Sequence, residues 1–219
     1  MRRSSASPAL SKQCCEPSVY ARPVSPADGP LLSELFDACD CRCFCRYWHF
    51  EGDKNDWLAR CFGDVGANQR ELLERIEEGH DEALGVVAIE DDAIVGWLKL
   101  APRTSVAKAY DQRLYRGLRA LDTAREGVFF LGCALVRPSA RKQGVAKALV
   151  AAAVKLGRAR GARYLEAFPR RPTEPVRDEE LWTIPVGALE ANGFRPVAGE
   201  DPYPVLQREL APPKPQEGG

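Results

Sequence analysis

The run Val128-Phe129-Phe130-Leu131-Gly132-Cys133-Ala134-Leu135-Val136-Arg137-Pro138-Ser139-Ala140-Arg141-Lys142-Gln143-Gly144-Val145-Ala146-Lys147 decides the fold. Its first nine residues are apolar or small, so they read as a buried strand. Pro138 cannot donate to a sheet ladder and ends it. From Gly144 to Arg160 the chain is dense in Ala, Val and Leu, apolar along one side, and predicts a long helix. A helix start presents unpaired N–H groups and the positive end of the helix dipole. That geometry binds phosphate. Gly144 has no side chain, so a pyrophosphate can approach the backbone, and Ala146 is small for the same reason. Between Arg137 and Lys147 stand the cations Arg137, Arg141, Lys142 and Lys147, and no acid. The plainer reading is an ordinary strand-turn-helix with a glycine at the helix start. Neither G-x-x-x-x-G-K-[ST] nor G-x-G-x-x-G occurs, which removes two common phosphate-binding rivals.

Upstream, Leu84 to Ile89 is a buried apolar strand. Asp91-Asp92 makes a turn, and Ile94 to Leu100 returns as a second strand, so the pair is a hairpin. Ser18 to Arg22 reads as a short strand ended by Pro23. Helices are expected over Leu31 to Ala38, Asn68 to Glu78 (Leu72, Leu73 and Ile76 at helical spacing) and Val106 to Leu121. Downstream, Tyr164 to Phe168 is a strand, Val186 to Ala191 a short helix, and Pro204 to Glu209 a last strand. Strands and helices in this order make an α/β (α+β) layered fold. Residues 1–17 and 211–219 are polar and rich in Pro, Ser or Gly, and are expected to be disordered tails around one domain, 18–210.

Lys plus Arg and Asp plus Glu balance at 31 each in 219 residues. Bulk positive charge for nucleic acid is therefore absent. No apolar run reaches the roughly 20 residues of a membrane span, and the basic N-terminus lacks the apolar core of a secretory signal. A cytoplasmic protein without membrane or nucleic-acid partners is expected. Eight cysteines are present, and four of them crowd into Cys39-Asp40-Cys41-Arg42-Cys43-Phe44-Cys45. In the cytosol such thiols stay reduced. If extended, the four share one face about 6.6 Å apart. If helical, Cys39 and Cys43 share one face and Cys41 and Cys45 nearly the opposite one. Neither matches paired zinc-ligand spacing, so no metal is expected. The set reads either as small buried hydrophobes or as a metal- or redox-responsive module.

The strand-turn-helix resembles the acetyl-CoA-binding motif of the GNAT superfamily of N-acetyltransferases, [QR]-x-x-G-x-[GA], matched by Arg141, Gly144 and Ala146. Leu189-Glu190-Ala191-Asn192-Gly193-Phe194 resembles the family's short helix ending in Gly-Phe, and the Asp91-Asp92 hairpin into Ile94-Val95-Gly96-Trp97 its second and third strands. A subset of bacterial members has a similar Cys-rich segment ending in Tyr-Trp, with Gly-Trp and Pro-Arg further on. Here these are Tyr47-Trp48, Gly96-Trp97 and Pro102-Arg103. The resemblance implies a mixed sheet of six to seven strands flanked by helices, with a splayed strand pair at the cofactor site. It implies transfer of an acyl group from acetyl-CoA to a primary amine, on a small molecule or a protein, by direct attack on the thioester, in a monomer or homodimer. By carry-over, Ala134, Leu135 and Val136 pair with the pantetheine arm. Arg141, Lys142, Gln143, Gly144, Val145, Ala146 and Lys147 hold the pyrophosphate. A backbone N–H near Cys133 to Leu135 stabilises the oxyanion.

Glu166, a lone carboxylate in its apolar strand, is the candidate base. Trp48 and Trp97 are candidates for the acceptor pocket, or for the core. The family commonly draws its thiolate-protonating Tyr from the position of Leu189, and leucine cannot donate a proton. That departure leaves open a non-catalytic acyl-CoA sensor.

Overall fold

The computed structural model describes residues 19–122, 124–177 and 180–210; the expected tails 1–17 and 211–219 lie outside them. In chain order the elements are β1 (Tyr20–Pro23), α1 (Gly29–Ala38), α2 (Lys54–Gly63), α3 (Ala67–Glu77), β2 (Gly85–Glu90), β3 (Ala93–Pro102), α4 (Ala107–Tyr110), β4 (Val128–Val136), α5 (Val145–Ala159), β5 (Tyr164–Ala167), α6 (Val186–Glu190), β6 (Arg195–Ala198) and β7 (Val205–Glu209). The strands form one mixed sheet in the order β1-β2-β3-β4-β5-β7-β6. Only β4 and β5 are parallel; the other pairs are antiparallel.

Side chains alternate across a strand, and both faces here are covered. Leu98 and Leu100 of β3 join Leu149, Val150 and Ala153 of α5 in one core layer. Trp97 and Ala101 of the same strand join Leu32 and Phe36 of α1 and Leu72 and Ile76 of α3 in the other. This two-sided burial is why the central strands read as nearly unbroken apolar runs. Each enclosed Leu contributes about 1.5–3 kcal/mol. Gly85 is bare because a Cβ there would stand 2.2 Å from the Trp97 ring.

Three elements differ from expectation. The helix expected over Val106 to Leu121 is only one turn, α4, followed by turns and a 3-10 turn at Arg119–Leu121. Gly117 sits at φ +80°, outside helical space, and Tyr115 turns in to stack on Phe168 at 4.2 Å. Helix α2 was not expected. It buries only Cys61 and is set by its cap: the Asp53 carboxylate accepts from the Asn55 and Asp56 amides, and Asp56 accepts from the Asp53 amide at 3.0 Å. Strand β6 is the third, exposed from Arg195 to Val197 and therefore without apolar alternation.

Beneath α3 lies a polar node. The Arg46 guanidinium, 2% exposed, donates to the Glu71 carboxylate and, at 2.7 Å, to that of Glu82. The fully enclosed Lys99 ammonium donates to the Glu82 carbonyl. His49 Nδ1 lies 3.0 Å from the Ser105 carbonyl. Burial, with the charges of Lys99 and Arg46, pushes the His49 imidazole down to about 3, against roughly 6.5 unfolded. The folded state therefore holds His49 neutral, and its contribution is complete above pH ~6.5. It is lost as the pH falls towards 3, because the unfolded chain then binds the extra proton. Thermal unfolding between pH 7 and 5 should show stability falling by up to about 1.4 kcal/mol per pH unit from this group. His49→Gln should flatten that slope; an unchanged slope would assign it to other groups.

Candidate active site

The site begins where the parallel pair comes apart. β4 and β5 pair only over Val128 to Leu131 and Tyr164 to Ala167. Beyond that, β4 meets a different stretch of chain. Cys133 forms a bridge with Thr183, and the Ala134 amide donates to the Trp182 carbonyl at 3.1 Å. A strip at Trp182–Thr183 thus stands in the splay, with a cavity on either side that shares both residues as wall.

The larger cavity, about 530 Å³, is a groove over the start of α5. Gly144 caps this helix at φ +85°, and Lys142 also lies in left-handed space at φ +61°. A side chain at Gly144 would be strained by that backbone, while the space above it is open, since an added Cβ meets nothing within 4 Å. The first helical bond runs from the Ala148 amide to the Gly144 carbonyl at 3.1 Å. The amides of Val145, Ala146 and Lys147 therefore precede the ladder, at the positive end of the helix. Nine of the ten expected cofactor residues line the groove: Ala134, Leu135, Val136, Arg141, Lys142, Gly144, Val145, Ala146 and Lys147. Gln143 does not; its amide turns back and donates to the Ser139 carbonyl at 2.9 Å. Arg141 Nε donates to the Val136 carbonyl at 3.3 Å, which ties the turn to the strand.

The smaller cavity, about 170 Å³, is walled by aromatic rings: Trp48, Tyr115, Phe130, Phe168, Trp182 and Tyr203. Trp48 meets Phe130 edge-on at 5.8 Å and Trp182 at 6.0 Å between centroids. Glu180 is the acid on this wall among the described residues, and Arg177 Nε donates to it at 3.1 Å. Burial pushes the Tyr115 hydroxyl up to about 12, so it stays protonated at neutral pH. Arg170 stands on the same wall, so the rings, whose faces attract an organic cation, lie beside one acid and one base.

Trp97 and Glu166 line neither cavity. Trp97 is fully enclosed, its indole N–H donating to Cys45 Sγ at 3.3 Å. It is a packing residue of the core, not a pocket wall. Glu166 is also fully enclosed. It accepts from the Tyr110 hydroxyl at 2.8 Å and from the Gln207 amide at 2.9 Å, with Arg103 Nη1 3.9 Å away. Leu189, likewise enclosed, packs into the core layer with α5. Sequence reasoning missed Trp182, Thr183 and Glu180. The one available mark was an aromatic residue standing alone in a Pro- and Arg-rich connection, and loops on a rigid scaffold commonly carry function.

The cysteine run is neither strand nor helix. It is a series of tight turns, with Asp40, Phe44 and Cys45 in left-handed space. Cys41 and Cys43 bring their sulfurs to 3.5 Å. Among the described residues no group of three or more His, Cys, Asp or Glu is placed to hold a metal ion. No described helix is long and apolar enough to cross a membrane.

A splayed β4–β5 pair over a cation-rich helix start defines an acyl-CoA-dependent transferase fold. The chain belongs to the acetyltransferase (GNAT) family, whose model matches residues 40–177. Among solved structures, it is similar to the PaiA N-acetyltransferase from Thermoplasma acidophilum in complex with coenzyme A. That match is 13% identical and covers 88% of this chain and 99% of that one, at a TM-score of 0.52. An N-acetyltransferase from Staphylococcus aureus Mu50 is 14% identical over 89% of this chain and 99% of that one, at a TM-score of 0.51. At such identities the likeness shows the fold. No curated protein matches the chain.

Proposed function

We propose that the protein transfers an acetyl group from acetyl-CoA to a primary amine, on a small molecule or a protein, by direct attack on the thioester. The observation that carries this reading is the pair of cavities meeting at Trp182–Thr183. One has the cationic helix start that suits a pyrophosphate. The other has the aromatic rings that suit an ammonium group, with Glu180 and Arg170 on its wall. The family supports acetyl-CoA as the donor.

In this reading Val145 to Lys147 hold the pyrophosphate, and Ala134 to Val136 flank the pantetheine arm. The thioester carbonyl lies against the Ala134 amide. That amide now donates to the Trp182 carbonyl, so the thioester oxygen takes the donor by displacing it. An amide donor placed where negative charge develops is worth about 3–4 kcal/mol. Glu180 replaces Glu166 as the carboxylate suited to take the ammonium proton, because it stands on the wall where the amine would sit. The neutral nitrogen then bonds to the carbonyl carbon. The carbon–sulfur bond breaks, the second nitrogen proton passes to water, and the thiolate takes a proton from water, directly or through the Thr183 hydroxyl on the shared wall.

The test is thiol release from acetyl-CoA against a panel of amines. Free CoA should appear only with an acceptor amine, which gains one acetyl mass. A second reading, an acyl-CoA sensor without turnover, is favoured by Leu189 packing into the core. It requires acetyl-CoA binding with no amine-dependent thiol release.

A further inference from the structure

Cys41 and Cys43 meet beside the groove, and the thiol of Cys45 also reaches Cys43. The sulfurs of Cys41 and Cys43 are 3.5 Å apart, in van der Waals contact, and both residues are partly exposed. Cys41 lines the groove over α5, together with Cys39 and Asp40. The bend that joins the two sulfurs is held by packing. Phe44 stacks on Phe36 at 4.3 Å, and Cys45 accepts the Trp97 indole N–H. Neighbouring thiols donate into Cys43, that of Cys41 most strongly, and hold it well below the usual thiol value. The same contact with Cys43 pushes Cys41 up.

We propose that Cys41, which lines the cofactor groove, and Cys43 beside it form a reversible dithiol/disulfide pair, oxidised by hydroperoxides and coupled to occupancy of that groove. Cys43 gives up its proton, its sulfur attacks a peroxide oxygen, the O–O bond breaks, and the leaving hydroxide takes up that proton and departs as water while Cys43 becomes a sulfenic acid. Cys41 sulfur then attacks Cys43 sulfur and a second water leaves. Two thiols and one hydrogen peroxide give one disulfide and two waters. Closing from 3.5 Å to the bonded separation of about 2.05 Å requires the two sulfurs to shift beside a groove that Cys41 lines. The coupling rests on the groove's being the acetyl-CoA site; the disulfide itself does not.

The test uses the full chain carrying Cys14→Ser and Cys15→Ser, which removes the thiols outside the described residues. Hydrogen peroxide should remove two hydrogen masses, peptide mapping should link Cys41 to Cys43, and dithiothreitol should restore the mass. Cys41→Ser and Cys43→Ser should each abolish the loss. An unchanged mass, added oxygen in its place, or a link between other cysteines overturns the dithiol. Calorimetry then compares acetyl-CoA affinity in the reduced and oxidised protein, expected to differ by about fivefold or more. Equal binding in both overturns the coupling. No binding in either overturns the groove reading and leaves the disulfide standing.

Discussion

Gly144→Glu should abolish measurable acetyl-CoA binding, with at least a 100-fold loss of affinity by calorimetry and an unchanged circular dichroism spectrum. Three effects act together. Gly144 sits at φ +85°, where a side-chain-bearing residue is strained by roughly 1–2 kcal/mol. The new side chain enters space that is open in the groove floor, where the phosphates would lie. Its negative charge would then face a pyrophosphate. Two like charges 4 Å apart near a protein surface repel by about 4 kcal/mol, about a 10³-fold effect before salt screening. Gly144→Ala carries the strain without the charge and should lose about tenfold. A Gly144→Glu variant that binds acetyl-CoA with native affinity would remove the α5 start from the cofactor site.

Glu166→Ala should destabilise the fold by about 3–5 kcal/mol, the scale for leaving a buried charge without its partner. Arg103 is 6% exposed, with its cation 4.3 Å from the Tyr110 ring centre and Nη2 on the Leu121 carbonyl. The Glu166 carboxylate is the anion that faces it. Removing that carboxylate also orphans the Tyr110 hydroxyl and the Gln207 amide. For a chain of this size the thermal midpoint should drop by roughly 10 °C or more. Glu166→Gln keeps the shape and an acceptor for Tyr110, so it should lose less. The Glu166→Ala, Arg103→Met pair should recover part of the loss, because an apolar replacement removes the uncompensated charge. A base acting in the acyl transfer gives a different result: Glu166→Gln would lose about 10²-fold in turnover at unchanged stability. Unfolding and turnover measured on the same preparation separate the two, and we expect the stability change.

The sheet and the helix start were legible because their causes are local. Val128 to Lys147 carries an apolar strand, a proline break and a glycine-capped helix in consecutive residues. Pro138, Gly144 and the stripe of Leu149, Val150 and Ala153 each act within a turn or two of their own position. What was not legible depends on distant partners. The apolar spacing from Val106 to Leu121 suits a helix, yet Tyr115 is taken by Phe168, more than fifty residues on. Glu166 looked like an isolated acid because its neighbours in space, Arg103, Tyr110 and Gln207, come from three other segments. Trp97 and Trp48 stand in similar local settings. Only the packing of α1 and the cysteine turns over Trp97 separates the enclosed ring from the one on a cavity wall. The Trp182–Thr183 strip was invisible for the same reason: its meaning lies in the bridge to Cys133, fifty residues upstream.

The position of Trp182 also gives the protein a built-in optical gauge. Its indole is 51% exposed, whereas Trp48 is 5% exposed and Trp97 is enclosed. Exposed indoles emit at longer wavelength than enclosed ones, and the Trp97 ring lies against a thiol sulfur, a quencher of its emission. Trp57, partly exposed and outside both cavities, shares the red edge of the fluorescence spectrum with Trp182, so the strip is read in a Trp57→Phe background. A ligand that lifts the Trp182 carbonyl from the Ala134 amide moves this indole relative to Trp48, and the emission band records the event in solution without any attached dye.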